Sequence, residues 1–371
     1  MKPVAGEGFI RGKAGIWKSD LEAAKNVQRK KAFRRMEEFP EGGENVDPRA
    51  LKESLALPVI MAPMFLISNP KMVIAASKAG IIGTFPSLNA RTGGILDDWM
   101  TEIKESLSAL EREHPGKAPA LWGVNLICHR TNPRLEEDLQ LIAKHQPPLV
   151  ITSLGDPGPV ARIVHEYDGV VFADVINIRY AKKAAERGAD GLILVAAGAG
   201  GHGGTYSPFA FVHEVRTFWR GPLVLAGGMS RGEDVLAARL IGADFAYMGT
   251  RFIPSAESGA SEEYKQMVQD SSIEDLIYSD AFSGIYGNFL IPSIRRTGLD
   301  PEGLKGKGRV DLSEMIGTEI KAWRDIWSAG HGVGTIVKIQ SIAEIVSELK
   351  EQYEAAKKGL AESNAAIRSQ A

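Results

Sequence analysis

The sequence predicts an α/β fold, a closed (β/α)₈ TIM barrel, and three observations indicate it. Eight short apolar runs alternate with helical patterns between residues 57 and 248, and strands that alternate with helices form parallel βαβ units. The runs are apolar almost throughout, as expected of a sheet that is buried on both faces. No dinucleotide-binding glycine fingerprint follows the first run, so eight units favour a barrel over an open doubly wound sheet.

The barrel elements follow each other in a regular order. The strands are expected at Leu57–Met61, Gly80–Thr84, Trp122–Ile127, Leu149–Thr152, Gly169–Ala173, Gly191–Val195, Pro222–Ala226 and Asp244–Met248. The helices between them are expected at Asn69–Lys78, Leu96–Leu110, Arg134–His145, Val160–His165, Tyr180–Arg187, Phe209–Trp219 and Glu233–Leu240. Gly188 and Gly242 close helices before strands, where glycine takes the left-handed conformation readily. These junctions belong to the bottom of the barrel, where a role in stability is expected.

The chain on either side of the barrel has a different character. Residues 1–54 are expected to form an N-terminal helical arm, with one apolar face that packs on the body. The barrel core is expected at 55–257, and residues 258–371 are expected to form a C-terminal helical and lid region. Within that region we expect helices at Ser258–Val268 and 336–358. The arm and the aperiodic stretch 278–335 are candidates for a homodimer contact.

The composition excludes several classes of protein. The 371 residues are 44% hydrophobic and 24% charged, with a formal net charge of −2, so nothing global indicates nucleic acid or an anionic membrane. Cys128 is the single cysteine, which excludes an intrachain disulfide and is typical of the reducing cytoplasm. No apolar run reaches the length of a membrane span, and the N-terminus lacks the order of a secretory signal. We therefore expect a cytoplasmic protein with no nucleic-acid or membrane partner.

Glycine-rich loops follow several strands and so belong to the C-terminal face, where barrel enzymes keep their active sites. Gly227-Gly228 follows the seventh strand and Gly249-Thr250 the eighth. Bare backbone amides in these loops can bind an anion, and barrels often bind a phosphate there. Either glycine segment can also be a simple tight turn. Together, in the two expected places, they favour a phosphate site.

His202 lies among five glycines and one alanine in the segment 198–204. Such a backbone can approach a flat ligand closely and present the imidazole to a substrate bound on it. General acid–base catalysis needs a pKa near the working pH, which histidine supplies without a large shift. The alternative is a surface histidine in a flexible loop.

The remaining titratable candidates are weaker. His129 and His331 could line the mouth of the barrel. The other histidines lie in or beside helices. Cys128, at the end of a strand, could be a nucleophile, but no partner is evident and a small apolar filler is the favoured interpretation. No set of residues has the spacing of metal ligands, so no catalytic metal is expected.

Taken together, the motifs resemble the nitronate monooxygenase family, formerly the 2-nitropropane dioxygenases, over residues 55–260. The motifs are Pro58-Val59-Ile60-Met61-Ala62-Pro63-Met64, Gly123-Val124-Asn125, Ala199-Gly200-Gly201-His202, Ala226-Gly227-Gly228-Met229 and Met248-Gly249-Thr250-Arg251-Phe252. The wider family includes FMN-dependent enoyl thioester reductases and NADH:quinone reductases.

The resemblance implies FMN as the cofactor and a role for each matching residue. Ala62, Pro63 and Met64 would pass beside the flavin ring, Asn125 would hydrogen-bond its polar edge, and Thr131 would contact it. Gly200 and Gly201 would allow close approach to the cofactor. The FMN phosphate would be held by Gly227, Gly228, Gly249 and Thr250. His202 matches the catalytic base of the family.

Two positions differ from patterns found among relatives. Some relatives have lysine near the flavin in the loop after strand five, where the matching residue is Asp174, so a negative charge replaces a positive one. Others have glutamine at the position of His331. The electronic tuning of the flavin and the subgroup are therefore open.

Three functions follow as hypotheses. The first is oxidation of alkyl nitronates, or nitroalkanes, by FMN and O₂ to a carbonyl compound and nitrite. The second is an NAD(P)H-dependent FMN reductase acting on a quinone or an enoyl thioester. The third is a non-catalytic barrel that binds a phosphorylated ligand, because a fold alone does not determine function.

Overall fold

The computed structural model describes residues 55–114, 119–306 and 324–370, and the predicted arm lies outside them. Eight parallel strands close into a barrel in the order β1-β2-β3-β4-β5-β6-β8-β9, which confirms the predicted fold. The barrel strands are β1 (Val59–Met61), β2 (Ile82–Pro86), β3 (Trp122–Ile127), β4 (Leu149–Ser153), β5 (Val170–Val175), β6 (Gly191–Val195), β8 (Leu223–Ala226) and β9 (Phe245–Met248).

Helices surround the barrel and continue beyond it. They are α1 (Pro70–Ala79), α2 (Gly93–Glu113), α3 (Leu135–His145), α4 (Gly158–Val164), α5 (Ile178–Glu186), α6 (Pro208–Arg216), α7 (Gly232–Leu240), α8 (Glu262–Asp270), α9 (Ile291–Arg296) and α10 (Ile342–Gln370). The left-handed glycines expected at the bottom of the barrel are present, since Gly188 has φ +92° and Gly242 has φ +111°. Each ends a helix just before a buried strand.

The barrel interior is a packed core rather than a pore. Alternate residues of the strands point inward, and the inward side chains form one apolar cluster that includes Ile60, Phe172, Ile193, Val224 and Phe245, all fully buried. The remaining strand residues pack outward against the helices. Because both faces are covered, the strands are apolar throughout, as the sequence predicted.

A second, smaller sheet lies beyond the barrel. β7 (Gly201–His202) pairs antiparallel with β11 (Gly287–Leu290), which pairs in turn with β10 (Leu276–Ser279). β7 belongs to the glycine-rich loop after β6, whereas β10 and β11 belong to the region predicted as a lid. This sheet therefore joins the loop that contains His202 to the chain beyond the barrel.

The C-terminal helix α10 packs on the barrel against α1 and α7. Gly232, the first residue of α7, makes the close approach possible, because a Cβ there would lie 2.1 Å from the Leu349 carbonyl oxygen. The helix begins at Ile342 rather than at residue 336 as predicted. Ser341 precedes it and exchanges hydrogen bonds with Glu344, whose carboxylate accepts from the Ser341 amide at 2.8 Å, a capping arrangement that favours this start.

In the parts of the chain that the structure describes, no helix is long and apolar enough to cross a membrane. The same residues contain no group of three His, Cys, Asp or Glu side chains that could hold a metal ion.

Candidate active site

A cavity of about 970 Å³ opens at the C-terminal ends of the barrel strands. All of the predicted site residues except Thr131 line it. These residues are Ala62, Pro63, Met64, Asn125, Asp174, Gly200, Gly201, His202, Gly227, Gly228, Gly249 and Thr250. Thr131 lies beside the cavity, with its Oγ1 2.9 Å from Nδ1 of His129, which does line it. Its contact with a flavin stays a prediction.

The loop after β1 forms one wall and is held from below by Asn89. The Asn89 amide donates to the carbonyl oxygens of Met64 and Ser68, at 2.9 and 2.7 Å, and its Oδ1 accepts from the Leu66 amide at 2.8 Å. Leu66 has φ +67°, a conformation that costs energy in a residue with a branched side chain. Asn89 therefore fixes the path of Pro63 and Met64 along the cavity.

The floor of the cavity carries a chain of polar groups on neighbouring strands. Asn125 of β3 donates through Nδ2 to Ser153 Oγ of β4 at 2.7 Å and to the Ile151 carbonyl oxygen at 3.1 Å. The Ser153 hydroxyl donates in turn to Oδ2 of Asp174 on β5. The other carboxyl oxygen, Oδ1, is buried and has no hydrogen-bond partner among the described residues.

Asp174 was expected in the loop after the fifth strand, but it lies within β5, because this strand continues to Val175. The carboxyl therefore belongs to the uppermost inward layer of the barrel, below the loops. Burial raises the pKa of Asp174 to about 7, and the hydrogen bond from Ser153 opposes the shift. Near neutral pH this carboxyl exists in both protonation states.

Tyr247 on β9 lines the same cavity. Its hydroxyl is buried and has no hydrogen-bond partner among the described residues. Burial raises the pKa of Tyr247 well above its usual value, and the charge of Asp174 raises it further. The sequence analysis placed Tyr247 within the eighth strand and did not name it as a site residue. Its inward position, two residues after the buried Phe245, was the available signal.

His202 is positioned by the small sheet rather than by a free loop. It pairs with Gly287 of β11, and its Nε2 lies 3.0 Å from Oγ of the buried Ser283. Tyr278 and Tyr286 hold the neighbouring Gly203 through its carbonyl oxygen and its amide, at 2.7 and 3.1 Å. These residues lie about eighty positions away in the sequence, so the sequence did not reveal the sheet.

Burial lowers the pKa of His202 to about 4. The imidazole is therefore neutral at pH 7. Its proton affinity is lower than the sequence suggested, because the expectation of an ordinary histidine pKa assumed an accessible ring.

The loops after β8 and β9 line another part of the cavity. The Gly228 amide donates to the Gly198 carbonyl oxygen at 3.0 Å, so this group is not a bare donor as predicted. The first amides of α7 are also occupied. Asp234 accepts from Ser230 and Arg231, and Gln352 accepts from Gly232. An anion here would meet the loops themselves rather than the helix end.

The segment Ser328–Gly332 completes this part of the cavity, and the sequence had indicated it only through His331 as a candidate for the barrel mouth. Ser328, Gly330 and Gly332 line the cavity. The Gly330 amide donates to Thr250 Oγ1 at 2.8 Å, which leaves the Thr250 hydroxyl proton free to donate. A Cβ on Gly200 would lie 2.8 Å from the Gly330 nitrogen. Gly200 is therefore required for the contact with this segment.

The remaining candidates from the sequence are His331 and Cys128. His331 is exposed, and its ring packs against Gly198 rather than lining the cavity. Burial, with the charge of Asp156, raises the pKa of Cys128 to about 12. A thiol with this pKa is protonated at neutral pH and is a poor nucleophile, so the interpretation as a small apolar filler is favoured.

A (β/α)₈ barrel whose strand ends carry a large cavity, a buried acid and an enclosed histidine defines an enzyme of the barrel class. The family model for nitronate monooxygenase matches residues 49–296, well over half of the chain. The chain belongs to the nitronate monooxygenase family, and it is a flavin-dependent oxidoreductase.

Individual relatives agree with this assignment. The chain is similar to a nitronate monooxygenase of Paraburkholderia phytofirmans, with 24% identity over 360 residues that cover 82% of this chain and 94% of the relative. A nitronate monooxygenase of Pseudomonas aeruginosa is 28% identical over 258 residues, which cover 57% of this chain and 70% of the relative.

Two solved structures share the fold. FabK from Thermotoga maritima has a TM-score of 0.69 and 23% identity, covering 85% of this chain and 97% of its own. A nitroalkane oxidase from Streptomyces ansochromogenes has a TM-score of 0.69 and 20% identity, covering 84% of this chain and 99% of its own. At these identities the two structures support the architecture alone.

Proposed function

We propose that this enzyme binds FMN and oxidises alkyl nitronates with O₂ to a carbonyl compound and nitrite. The observation that carries the proposal is a single cavity lined by His202, by the residues Asp174 and Tyr247 with their unpartnered polar atoms, and by the glycine-rich loops after β8 and β9. Family membership supports the same chemistry. A small organic anion is the corresponding substrate class.

The cavity residues fit a flavin mononucleotide. Gly201 has open space where a Cβ would stand, so a planar ring can approach its backbone. Asn125 and the loop from Ala62 to Met64 would line the ring. Gly227, Gly249 and the Thr250 hydroxyl would hold the phosphate. When bound, FMN supplies electron transfer between the nitronate and O₂.

The pKa of His202 favours the nitronate over the neutral nitroalkane. A nitronate has already lost its α-proton, so it needs no base. A nitroalkane must lose that proton to His202, which at a pKa of about 4 is a weak base. His202 therefore orients the nitronate at the ring and removes the α-proton slowly when a nitroalkane binds.

The overall reaction balances atoms and charge. Two nitronates and one O₂ give two carbonyl compounds and two nitrites, with the C=N bond of each nitronate broken. Nitrite carries the negative charge away, so no proton is consumed. The site residues need only bind the anion, hold it beside the cofactor and admit O₂.

Anaerobic stopped-flow mixing of FMN-loaded enzyme with propyl-2-nitronate tests the function. We expect the flavin absorbance to decrease after anaerobic mixing and to recover when O₂ is admitted. Nitrite should form in proportion to the nitronate consumed. If nitronate leaves the spectrum unchanged while NADH or NADPH bleaches it, the reductase hypothesis replaces this one. A protein that stays colourless after incubation with FMN contradicts both.

Substitution His202→Asn tests the role of the histidine. General base catalysis typically contributes 10²–10⁴-fold, so we expect nitroalkane turnover to fall by about that range while nitronate turnover falls far less. His331→Asn is the matched control, because His331 is exposed and outside the cavity. An equal loss with both substrates would rule out the base role.

A further inference from the structure

We propose that Asp174, which shares the cavity floor with Tyr247, is a proton-holding contact of the flavin: its carboxyl takes up a proton as the bound cofactor is reduced. This inference rests on the flavin binding proposed above. It adds a role for two residues on the cavity floor that the mechanism does not otherwise use.

Two polar groups on the cavity floor have no partner. Oδ1 of Asp174 and the Tyr247 hydroxyl are buried and have no hydrogen-bond partner in the described part of the chain, and both residues line the same cavity. Leaving such groups unpaired is costly, and native proteins rarely do so without reason. Two such groups from β5 and β9 at one floor indicate a polar ligand edge that satisfies both.

The hydrogen bonds on the floor run in one direction, from Asn125 through Ser153 to Asp174. The Asn125 amide nitrogen faces the Ile151 carbonyl oxygen, which can only accept. The same nitrogen donates to Ser153, so the single Ser153 hydroxyl proton is directed to Oδ2 of Asp174. Oδ2 is thereby an acceptor. The proton of a neutral Asp174 belongs on Oδ1, the buried oxygen that has no partner among the described residues.

The charges around Asp174 are consistent with a proton that moves near neutral pH. Burial raises the pKa of this carboxyl to about 7 against the Ser153 hydrogen bond. Ser153 faces it from β4 and Tyr247 from β9. The further titratable side chains of the cavity wall, within the described ranges, are His129, Asp156, Tyr180, Lys183, His202, Tyr206, Tyr264, Tyr278 and Tyr286.

The proton balance follows from electrostatics. Reduction of the bound cofactor adds electrons, and therefore negative charge, next to the carboxyl. A neighbouring negative charge raises the pKa of a carboxyl, so an ionised Asp174 takes one proton from solvent when the cofactor is reduced. The electrons come from the nitronate in turnover, or from dithionite in a titration. The proton leaves again when O₂ reoxidises the site.

The test is the midpoint potential of the FMN-loaded enzyme measured from pH 5.5 to pH 9. For the wild type we expect the potential to fall more steeply with pH above about pH 7 than for Asp174→Asn. Below that pH, where Asp174 is neutral, the two curves should run in parallel. At high pH the wild-type potential should be the lower one, because ionised Asp174 disfavours added negative charge.

The matched control is Asp156→Asn. Asp156 also lines the cavity, but its side chain is 35% exposed and pairs with Arg187. The midpoint potential of Asp156→Asn should therefore change with pH as steeply as that of the wild type. A second variant, Tyr247→Phe, should weaken FMN binding while leaving the apoprotein at least as stable, because it removes an unpaired buried hydroxyl. Weaker FMN binding together with lower apoprotein stability would indicate a purely structural role.

Infrared difference spectra, reduced minus oxidised, test the same proposal without any variant. At pH 8 we expect a protonated-carboxyl band that appears on reduction and shifts in D₂O. Its absence would show that Asp174 stays ionised, for example as an acceptor from the ring, and would overturn the proposal.

If the wild type binds FMN but its potential curve superimposes on that of Asp174→Asn, this inference fails alone. If the wild type binds no FMN, both this inference and the proposed function are wrong.

Discussion

At the scale of single residues, His202 illustrates how distant chain segments change the chemistry of a local motif. Its glycine surroundings are readable in the sequence and predicted a ring presented to a ligand. The burial that lowers its pKa to about 4 is not readable. The strand that pairs with it, and the Ser283 hydroxyl, belong to residues some eighty positions further along.

The first prediction is the pH dependence of nitroalkane turnover. The neutral imidazole is the active base and is present above its pKa. Therefore kcat/KM for a nitroalkane should rise as the pH increases through about 4 and be level from about pH 6 upward. Initial rates from pH 4 to pH 8, with the preformed nitronate as control substrate, check this. An inflection near pH 6.5 would indicate an ordinary, accessible histidine.

The second prediction concerns Gly200. A Cβ there would lie 2.8 Å from the Gly330 nitrogen and 3.0 Å from the Ala329 carbonyl carbon, so Gly200→Ala should destabilise the protein by about 1–3 kcal/mol and weaken FMN binding. Urea unfolding and flavin fluorescence titration measure the two effects. In Gly203→Ala the new Cβ meets nothing closer than 3.4 Å, and this variant should change stability by less than about 0.5 kcal/mol. Equal losses would refute the explanation by contact.

At the scale of elements, the barrel strands and their helices were predictable because each carries its own periodic signal. The short strand β7 was not, since two residues have no period and acquire strand geometry from their pairing with β11. The start of α10 was placed six residues too early. Apolar residues such as Ile336 and Ile339 continue the helical spacing upstream, although residues 331–335 form a 3₁₀ turn.

The third prediction concerns the loop after β1, which depends on Asn89. In Asn89→Ala the Leu66 amide and the Ser68 carbonyl oxygen lose the partner that Asn89 supplies, whereas the Met64 carbonyl oxygen still accepts from the Ile67 and Ser68 amides. Each buried group left unpaired costs about 1–3 kcal/mol. We expect a clear loss of stability in urea and weaker FMN binding. Thr92→Ala removes an exposed helix cap and should cost about 1 kcal/mol without affecting the flavin. Unchanged FMN affinity in Asn89→Ala would contradict the proposed role of the loop.

At the scale of the whole molecule, the residues predicted in the loops line the cavity, whereas the sequence singled out only Asn125 and Asp174 on its floor. Residues after the strands break the apolar pattern and are conspicuous, as Gly227 and Gly249 are. Ser153 and Tyr247 were missed because one polar group in an apolar run has many structural explanations. Only barrel closure brings β3, β4, β5 and β9 to one floor.

The fourth prediction is stabilisation of the whole fold by cofactor. A ligand that binds only the native state at a hundred times its Kd adds about 2.7 kcal/mol. FMN should therefore raise the Tm measured by differential scanning fluorimetry or calorimetry. Riboflavin, which lacks the phosphate, should raise it less if the loops after β8 and β9 hold that group. Equal shifts from the two ligands would contradict the phosphate assignment.

The sheet formed by β7, β10 and β11 also has a consequence for biosynthesis. All eight barrel strands precede β11 in the chain and are therefore synthesised before it. When the last barrel strand is complete, His202 still lacks its strand partner and the Ser328–Gly332 segment is unmade. Catalytic competence thus depends on segments that are synthesised after the architecture they complete.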